Sequence, residues 1–430
     1  MSQPASFTTL AEWLPWLETL SPREIVLGLE RVQTMLERLK LSRPQTVIHV
    51  GGTNGKGSCA AMLAALLQKG GISTGCYTSP HIHVYNERIR IDGVPASDQQ
   101  ILDALQLVES KRGDLPLTYF EFGTLAALVV FDAARVDAWI LEVGLGGRLE
   151  AVNAVEPDAS VITNVSLDHC AWLGDNVESI AAEKAGIMRA GKPIIFGDMC
   201  VPDAIRVSAA ELGANLLITG RDFAYEKDPV DLDYWSWRGA NVELTGLLAP
   251  SLAGEVQLQN AATALATVEA IGLDDLLTSE TVNGVLPYLA VEGRFQVVKR
   301  QCRWILDVAH NPAAAAALAM RLVDLQITGQ VTAIIGLLRD KDVQGVIEPL
   351  SEFVDRWIAV TVNGPRAAAA EQLGKEIAGL SGKPCLIADT IDAALGFAAK
   401  QASAKDVVVV TGSFYLVGPA IDWLSREQKS

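Results

Sequence analysis

The stretch VGGTNGKGS (Val50–Ser58) decides which fold the chain is expected to have. It nearly fits the phosphate-loop pattern G-x-x-x-x-G-K-[ST], but Gly57 is inserted between Lys56 and Ser58. In such a loop, backbone N–H groups and a helix N-terminus converge on phosphate oxygens. The stretch predicts a nucleotide site in which Lys56 reaches the β- and γ-phosphates and Ser58 meets Mg²⁺. The alternative is a turn that is rich in glycine for steric reasons alone.

The chain alternates strand-like and helix-like segments on both sides of this stretch. A helical pattern from Ser58 to Lys69 follows the loop, and another one from Asn176 to Pro193 has a capping residue at its start. The predicted strands are TVIHV (Thr46–Val50), STGCYT (Ser73–Thr78), DAWILEVG (Asp137–Gly144) and ASVITNV (Ala159–Val165). This rhythm is typical of parallel strands joined by crossover helices.

The alternation stops and then restarts, which predicts two domains. The pattern weakens between about 200 and 250, where Tyr225–Gly246 reads as hairpins and loops, and a helical segment follows at Gln259–Ile271. After Gly293 strands return at Arg303–Asp307, Val331–Gly336, Arg356–Val362, Cys385–Asp389 and Asp406–Gly412, with a helix from Pro312. We therefore expect an α/β protein with a boundary near 287–294 and with domains 1–290 and 291–430.

The composition limits the classes of partner. The 430 residues carry a net charge of −16, which argues against binding to nucleic acid or to an acidic membrane surface. The N-terminus has no signal-peptide pattern, and no apolar run is long enough to span a membrane. The six cysteines are scattered, without a C-x-x-C pair, as in proteins of a reducing cytoplasm. We expect small-molecule substrates and a cytoplasmic location.

Several ionisable residues follow the predicted strands. Glu142 ends the apolar run AWILE, and Asp168 and His169 come just beyond ASVIT, so all three are expected at carboxyl ends of strands, where ligands bind. Two of them have a plain alternative: a solvated strand end for Glu142 and a structural histidine for His169. The spacing of Lys184 favours a surface lysine beside Glu183.

Taken together, the motifs resemble those of the folylpolyglutamate synthase/dihydrofolate synthase family of the Mur ligase superfamily. The resemblance runs from about residue 17 to TGSFYLVG (Thr411–Gly418). It rests on GTNGKGS (Gly52–Ser58), TSPH (Thr78–His81), TYFEFGT (Thr118–Thr124), LEVGLGGRLEAVN (Leu141–Asn153), LDHCAWLG (Leu167–Gly174), EKAGI (Glu183–Ile187), QNAATA (Gln259–Ala264), GRFQ (Gly293–Gln296) and DVAHNP (Asp307–Pro312). In this family the phosphate loop reads T-N-G-K-G-[ST], so the extra glycine is its normal form.

The resemblance implies a fold and a set of sites. It implies a phosphate-loop ATPase-type N-terminal domain with a mostly parallel sheet, and a smaller Rossmann-like α/β domain that binds glutamate. ATP would be bound by Thr53, Asn54, Gly55, Lys56, Gly57, Ser58, Asn260, Arg294, Asp307 and His310. Two Mg²⁺ ions would be held by Ser79, Glu142 and His169, with Ser58 and a carbamylated Lys184 as further candidates. Lys56, His169, Lys184 and Arg294 would be catalytic. Substrate contacts would come from Leu27, Gly28, Phe120, Arg148, Leu149, Glu150, Ala151, Asp168 and Ser413.

Three positions depart from the family pattern. Glu150 replaces an aspartate, Val26 replaces a carboxylate near the expected pterin loop, and Cys170 replaces a threonine. The longer Glu150 side chain puts the geometry of the pterin or metal surroundings in question. None of the three is a residue that the resemblance makes catalytic.

The implied reaction is ATP-driven amide formation. A substrate carboxylate attacks the γ-phosphate, and the amino group of glutamate then attacks the resulting acyl phosphate. The motifs TYFEFGT and GLERV favour the bifunctional form, which acts on dihydropteroate and on folates. A monomer is expected, although no motif specifies the oligomeric state. The alternatives are a synthase that only polyglutamylates, a cell-wall muramyl ligase, and a nucleotide-binding module without ligase activity. Asp340, Lys341 and Arg366 are further guesses for a glutamate pocket.

Overall fold

The Val50–Ser58 stretch forms the turn between a buried strand and a helix, as its composition predicts. The computed structural model describes residues 7–21, 26–251, 254–364 and 366–426. The described residues divide into two units. The first holds those up to Val165, Asp175–Ser251 and Gln257–Leu289. The second holds Ser166–Gly174, the described part of Leu252–Val256 and the residues from Ala290 onward.

The elements follow one another along the chain with short connections. The strands are β1 (Thr46–Gly51), β2 (Thr74–Tyr77), β3 (Ile89–Ile91), β4 (Val94–Pro95), β5 (Ala138–Glu142), β6 (Ala159–Ile162), β7 (Pro193–Phe196), β8 (Asn215–Ile218), β9 (Ala224–Lys227), β10 (Tyr234–Arg238), β11 (Glu243–Leu248), β12 (Gln296–Lys299), β13 (Arg303–Leu306), β14 (Val331–Ile335), β15 (Arg356–Val360), β16 (Cys385–Ala388) and β17 (Val407–Thr411). The α-helices are α1 (Leu10–Thr19), α2 (Glu30–Leu39), α3 (Lys56–Lys69), α4 (Asp98–Arg112), α5 (Tyr119–Ala134), α6 (Cys170–Leu173), α7 (Val177–Ala185), α8 (Asp203–Leu212), α9 (Glu255–Ala270), α10 (Ser279–Asn283), α11 (Pro312–Asp324), α12 (Val343–Ser351), α13 (Ala370–Ser381), α14 (Ile391–Gln401) and α15 (Phe414–Arg426).

The first unit is built around an eight-stranded sheet with the order β4-β3-β2-β5-β1-β6-β7-β8. Strands β2, β5, β1, β6, β7 and β8 are parallel, while β3 and β4 add an antiparallel edge. All residues of β5 and β6 are buried, as expected for parallel strands covered by helices on both faces. The loops after β1, β5 and β6 therefore leave the sheet side by side at one edge.

The second unit has a six-stranded sheet with the order β12-β13-β17-β14-β15-β16. Its strands are parallel except for β12, which pairs antiparallel with β13 at one edge. Valine fills the central strand β17, which is buried along its whole length. The predicted α/β class, with a mostly parallel sheet in each part, is confirmed.

Two details differ from the sequence-based expectation or refine it. The predicted helix from Asn176 to Pro193 is shorter, because α7 ends at Ala185 and Gly186 caps it, while Pro193 begins β7. The hairpin region forms a separate antiparallel sheet with the order β11-β10-β9. Within the described residues, no helix combines the length and the apolar character that crossing a membrane requires.

Candidate active site

The phosphate loop lies between β1 and α3 in the first unit, and two of its glycines are required by geometry. Gly52 has a φ of +135°, and a Cβ there would overlap the side chain of Thr163. Gly55, the N-cap of α3, has a φ of +85°, and a Cβ there would lie 2.6 Å from Oδ1 of Asn260. The loop can follow this path only because these positions lack side chains. Asn260 thus lies against the loop, as its predicted nucleotide role requires.

The chain after β6 fixes the shape of the loop. The backbone N–H of Thr53 donates to the Asn164 carbonyl at 3.0 Å, and the N–H of Asn54 donates to Oδ1 of Asn164 at 3.0 Å. The Thr163 hydroxyl donates to the Asn54 carbonyl at 2.6 Å. Because their amides are already bonded to Asn164, Thr53 and Asn54 shape the loop rather than offer N–H groups to a phosphate.

The first turn of α3 supplies the anion-binding groups. The intrahelical ladder begins with the bond from the Cys59 N–H to the Gly55 carbonyl, so the preceding amides have no partner within the helix. Lys56 folds back over the loop, and its ammonium donates to the carbonyls of Gly52 and Thr53, both at 3.2 Å. The Ser58 hydroxyl is fully buried and has no hydrogen-bond partner among the described residues. Leaving such a group unsatisfied costs ~1–3 kcal/mol, which a bound ligand would recover.

Glu142 faces this turn from the end of β5. Its side chain is buried, and its Oε2 accepts the backbone N–H of Ser79 at 2.9 Å. A Cβ on Gly57 would lie 3.6 Å and 3.9 Å from the two carboxylate oxygens, so the extra glycine keeps space open beside the carboxylate. A carboxylate and serine hydroxyls are the hard oxygen ligands that Mg²⁺ prefers.

The residues present fit a magnesium site that is completed by a nucleotide. Across the described ranges, no three His, Cys, Asp or Glu side chains come together as a metal cluster. Mg²⁺ is commonly held by one or two carboxylates together with substrate phosphates. Glu142 and the buried Ser58 hydroxyl match that pattern, whereas Ser79 engages Glu142 through its backbone.

Lys184 is not the surface lysine that its spacing favours. The side chain is buried, and its Nζ donates to the Gly52 carbonyl of the phosphate loop at 2.9 Å. Its neighbour Glu183 instead pairs with Arg148 at 2.8 Å. Helix α7 approaches closely because Gly147 lacks a side chain: a Cβ there would lie 3.0 Å from the Glu183 carbonyl. The surface interpretation of Lys184 is therefore wrong, because tertiary packing places it against the loop.

A second cluster in the first unit contains the predicted folate-side residues. Gly28 donates its N–H to the Leu149 carbonyl at 3.1 Å, which joins the two predicted stretches, while Leu27 is exposed. Phe120 packs on Tyr77 with ring centroids 6.0 Å apart.

Glu150 and Ala151 are also buried in this cluster. Oε2 of Glu150 accepts the Val152 N–H at 2.9 Å, and burial raises the pKa of Glu150 to about 8. The Glu150 carboxyl group lies beside Phe120 and Gly144: a Cβ on Gly144 would lie 2.7 Å from the Phe120 ring and 3.4 Å from Oε1 of Glu150.

Two further charged residues lie in this cluster: Arg31 belongs to the GLERV motif and Glu121 to the TYFEFGT motif. Arg31 and Glu121 form a partly buried ion pair at 2.7 Å, and Arg31 also donates to the carbonyl of Val26 at 2.6 Å. Glu121 caps α5 by accepting the Thr118 N–H at 2.7 Å. The capping-box spacing Thr-x-x-Glu in TYFE indicates the start of the helix. No local pattern indicates that Glu121 also pairs with Arg31, which lies 90 positions away.

In the second unit, Asp307 shapes the turn that carries Arg294. Its carboxylate accepts the N–H groups of Phe295 and Ala309, both at 2.8 Å, and burial raises its pKa. Phe295 adopts a left-handed conformation with φ +46°, and the Arg294 guanidinium lies over the Phe414 ring, 5.3 Å from its centroid. Asp307 is thus engaged with backbone groups of its own unit.

Asp168 binds several side chains of the second unit. Its carboxylate binds the Lys341 ammonium at 2.6 Å and the Asn311 amide at 3.0 Å, with the His310 imidazole 3.6 Å away. Burial alone would raise its pKa, but the neighbouring imidazoles and the Lys341 charge hold the pKa well below its usual range. His169, the next residue, is the N-cap of α6 with φ +52°.

Three further predicted residues also lie in the second unit. Ser413 is buried before α15, and its hydroxyl accepts the Tyr415 N–H at 3.2 Å. Arg366 and Asp340 approach to 4.0 Å near the surface.

Comparisons with known proteins identify the family of the chain. The family model of the Mur ligase middle domain matches residues 50–268, and that of the Mur ligase glutamate ligase domain matches residues 293–414. The dihydrofolate synthase/folylpolyglutamate synthase of Escherichia coli K12 is 41% identical over 420 residues, which cover 97% of this chain and 96% of that protein. The folylpolyglutamate synthase of Lacticaseibacillus casei is 34% identical, with 90% and 92% covered.

Solved structures are similar over the whole chain. The E. coli FolC complex with DHPP and ADP superposes with a TM-score of 0.92 at 40% identity, and all of both chains is covered. The bifunctional synthase of Yersinia pestis with AMPPNP and a Mn ion gives a TM-score of 0.90 at 42% identity, with 99% of this chain and 100% of that chain covered. Another bifunctional synthase, with Mn, AMPPNP and L-glutamate bound, gives 0.90 at 41%, with 99% of each chain covered.

Proposed function

This chain belongs to the dihydrofolate synthase/folylpolyglutamate synthase family of Mur ligases, and we propose that its reaction runs through an acyl phosphate formed at the Val50–Ser58 loop. The protein is an ATP-dependent ligase that adds glutamate to dihydropteroate and to folates. ATP and a divalent metal ion are its cofactors.

The first step joins the substrate carboxylate to phosphate. A carboxylate oxygen attacks the γ-phosphorus, the bond to the β-phosphate bridging oxygen breaks, and ADP leaves with that electron pair. The α3 N-terminus and Lys56 bind the phosphates, because amides without a helical partner and an ammonium group complement their charge. Divalent ions, when bound, neutralise charge on the triphosphate and the attacking carboxylate. Glu142, Ser58, Ser79, His169 and a carbamylated Lys184 would hold them.

The second step forms the amide. The neutral α-amino group of glutamate attacks the acyl carbon, phosphate leaves, and the nitrogen loses a proton. Arg294 lies in the turn that Asp307 shapes, and its guanidinium lies over the Phe414 ring. It is proposed to offset charge on the phosphates. Pterin recognition is proposed for the cluster of Gly28, Phe120 and Glu150.

The observation that carries this proposal is the buried Ser58 hydroxyl. It lies in the first turn of α3, has no partner in the described chain, and follows Gly57, where a Cβ would contact the Glu142 carboxylate oxygens at 3.6 Å and 3.9 Å. A fully buried hydroxyl without a partner lowers the stability of the ligand-free protein. A metal ion or a phosphate oxygen would supply the missing partner.

Glutamate-dependent ADP release tests the proposal. The assay uses dihydropteroate or tetrahydrofolate, each with and without L-glutamate. Release with both substrates, only when glutamate is present, is expected. Release with tetrahydrofolate alone would indicate a polyglutamylating enzyme, and release without glutamate would indicate a nucleotide-hydrolysing module. Turnover of a UDP-muramoyl substrate would indicate a cell-wall ligase.

A serine variant tests the role of the loop itself. Ser58→Ala is expected to fold normally and to lose about 100-fold in turnover, because a ligand to the reacting charge is gone. Ser110→Ala, at an exposed position of α4, is the matched control. Equal turnover of both variants would exclude Ser58 from the site.

Three expectations stay predictions. We propose a monomer in the cytoplasm that binds neither nucleic acid nor membranes, on the basis of the net charge of −16 and the scattered cysteines. Light scattering after size-exclusion chromatography would measure the oligomeric state.

A further inference from the structure

The short segment Ser166–Gly174 groups with the second unit, although its neighbours in sequence belong to the first. Its attachment includes the Asp168 carboxylate. Oδ1 accepts the Lys341 ammonium at 2.6 Å, and Oδ2 accepts the Asn311 side-chain amide at 3.0 Å. These two partners come from different loops of the second unit, 173 and 143 positions away. We call Asp168, Asn311 and Lys341 the carboxylate clasp.

The clasp is largely closed to solvent. The side chains of Asp168 and Lys341 are 9% and 6% exposed, and Asn311 is buried. Asn311 is itself fixed, because its Oδ1 caps α11 by accepting the Ala314 N–H at 2.9 Å. A buried ion pair of this kind depends on both partners, since removal of one leaves the other charge desolvated and uncompensated. The ammonium group of Lys341 therefore compensates the charge of the buried Asp168 carboxylate.

The clasp also controls the backbone of His169. Oδ1 of Asp168 accepts the His169 N–H at 2.8 Å, and His169 has the left-handed φ of +52°. A residue with a Cβ adopts that conformation only when its surroundings hold it there. The His169 carbonyl in turn accepts the N–H groups of Trp172 and Leu173 and so begins α6. The carboxylate thus determines the direction in which the His169 side chain leaves the chain.

We propose that Lys341 is a positioning residue: with Asn311 it locks Asp168, and Asp168 holds His169 in the turn that presents its imidazole to a divalent cation. The assignment of the cation to His169 rests on the proposed function. The role differs from that of a glutamate-binding lysine, because the ammonium is buried against a carboxylate of the protein. Replacement of Lys341 is expected to weaken metal binding indirectly, because His169 is no longer held in its turn.

Lys341→Met tests the inference, because methionine keeps most of the side-chain length without the charge. Lys375→Met, at an exposed lysine of α13, is the matched control. Hydrogen exchange of peptides covering 166–174 is measured together with Mn²⁺ affinity in the presence of a non-hydrolysable ATP analogue. We expect at least 10-fold faster exchange of these peptides, and Mn²⁺ binding weakened by about 10- to 100-fold. The glutamate KM should change by less than about 3-fold, and the control should match the wild type.

Two further variants separate positioning from loss of folding. Lys341→Arg keeps the charge and should restore much of the exchange protection. Asp168→Asn/Lys341→Met removes both charges, so it should fold even if the single variant does not, while Mn²⁺ affinity stays weak. Unchanged exchange and Mn²⁺ affinity in Lys341→Met would overturn the inference. A raised glutamate KM with unchanged Mn²⁺ affinity would also overturn it, in favour of direct glutamate binding.

The exchange measurement stands apart from the activity. If wild-type protein shows no glutamate-dependent ADP release, the proposed function fails, while the exchange of 166–174 still reports whether the clasp exists. If the wild type is an active ligase and the exchange in Lys341→Met is normal, only the positioning role fails.

Discussion

We predict that His49 contributes to the acid sensitivity of the first unit and that its replacement lowers that sensitivity. It lies in the middle of β1 between Leu141 of β5 and Ser160 of β6, and it is fully buried. Neither ring nitrogen has a hydrogen-bond partner in the described chain, and the Ser160 hydroxyl donates instead to the Ile187 carbonyl at 2.8 Å. Burial, with a smaller contribution from the Arg189 charge, lowers the pKa of His49 from 6.5 to about 3.

The sign and size of the effect follow from linkage. Because the folded-state pKa is depressed, protons bind preferentially to the unfolded chain, so stability is retained above pH 6.5 and is lost as the pH falls toward 3. Each pH unit below 6.5 costs ~1.4 kcal/mol, which gives ~2 kcal/mol at pH 5. His49→Leu cannot take up this proton. At pH 7.5 its free energy of unfolding should lie within ~1.5 kcal/mol of the wild type, because the two side chains have similar volumes.

The measurement is urea unfolding at pH 7.5 and at pH 5, with hydrogen exchange of β1 peptides reporting on the first unit. Acidification should cost the wild type ~2 kcal/mol more than it costs His49→Leu. Ile48→Val, at the adjacent buried position, is the matched control, and it should lose ~1 kcal/mol equally at both pH values. If wild type and His49→Leu lose the same stability on acidification, His49 is not the buried neutral histidine described above.

The other predictions concern the active site. Lys184→Ala should lower turnover by about 100-fold or more without unfolding the protein, and near-normal turnover would contradict a role as a carbamate. Arg294→Ala should lower kcat by about 100-fold while ATP affinity changes far less, and unchanged turnover would refute its action on the phosphates. Gly57→Ala should raise stability by ~0.5 kcal/mol, because its φ is ordinary, yet lower turnover, because the methyl group fills space beside Glu142. Gly55→Ala should instead cost ~1–3 kcal/mol, because its φ is +85° and Asn260 is too close. Equal melting temperatures for the two glycine variants would contradict this difference.

Local patterns were sufficient for most of the fold. The apolar runs that became β1, β5 and β6, and the capped starts of α5 and α7, depend on neighbours only a few positions apart. The end of α7 was misplaced because Gly186 stops the helix, whereas the pattern was extended to Pro193. A glycine after an otherwise regular helical pattern is a weak signal unless its backbone conformation is known.

The sequence by itself determined the alternation of strands and helices, the position of the phosphate loop and, through the combined motifs, the family. These properties depend on periodicity, glycine chemistry and residue order, and these patterns can be recognised from residues that are close together in the sequence. Only the tertiary structure decided that Lys184 is buried against Gly52, that Gly57 keeps space open beside Glu142, and that Asp168 is held by Lys341. The bonds to Lys184 and Asp168 join residues 132 and 173 positions apart. Burial and charge pairing at such separations arise only when strands and helices pack, because no local pattern records which distant side chain will be the neighbour.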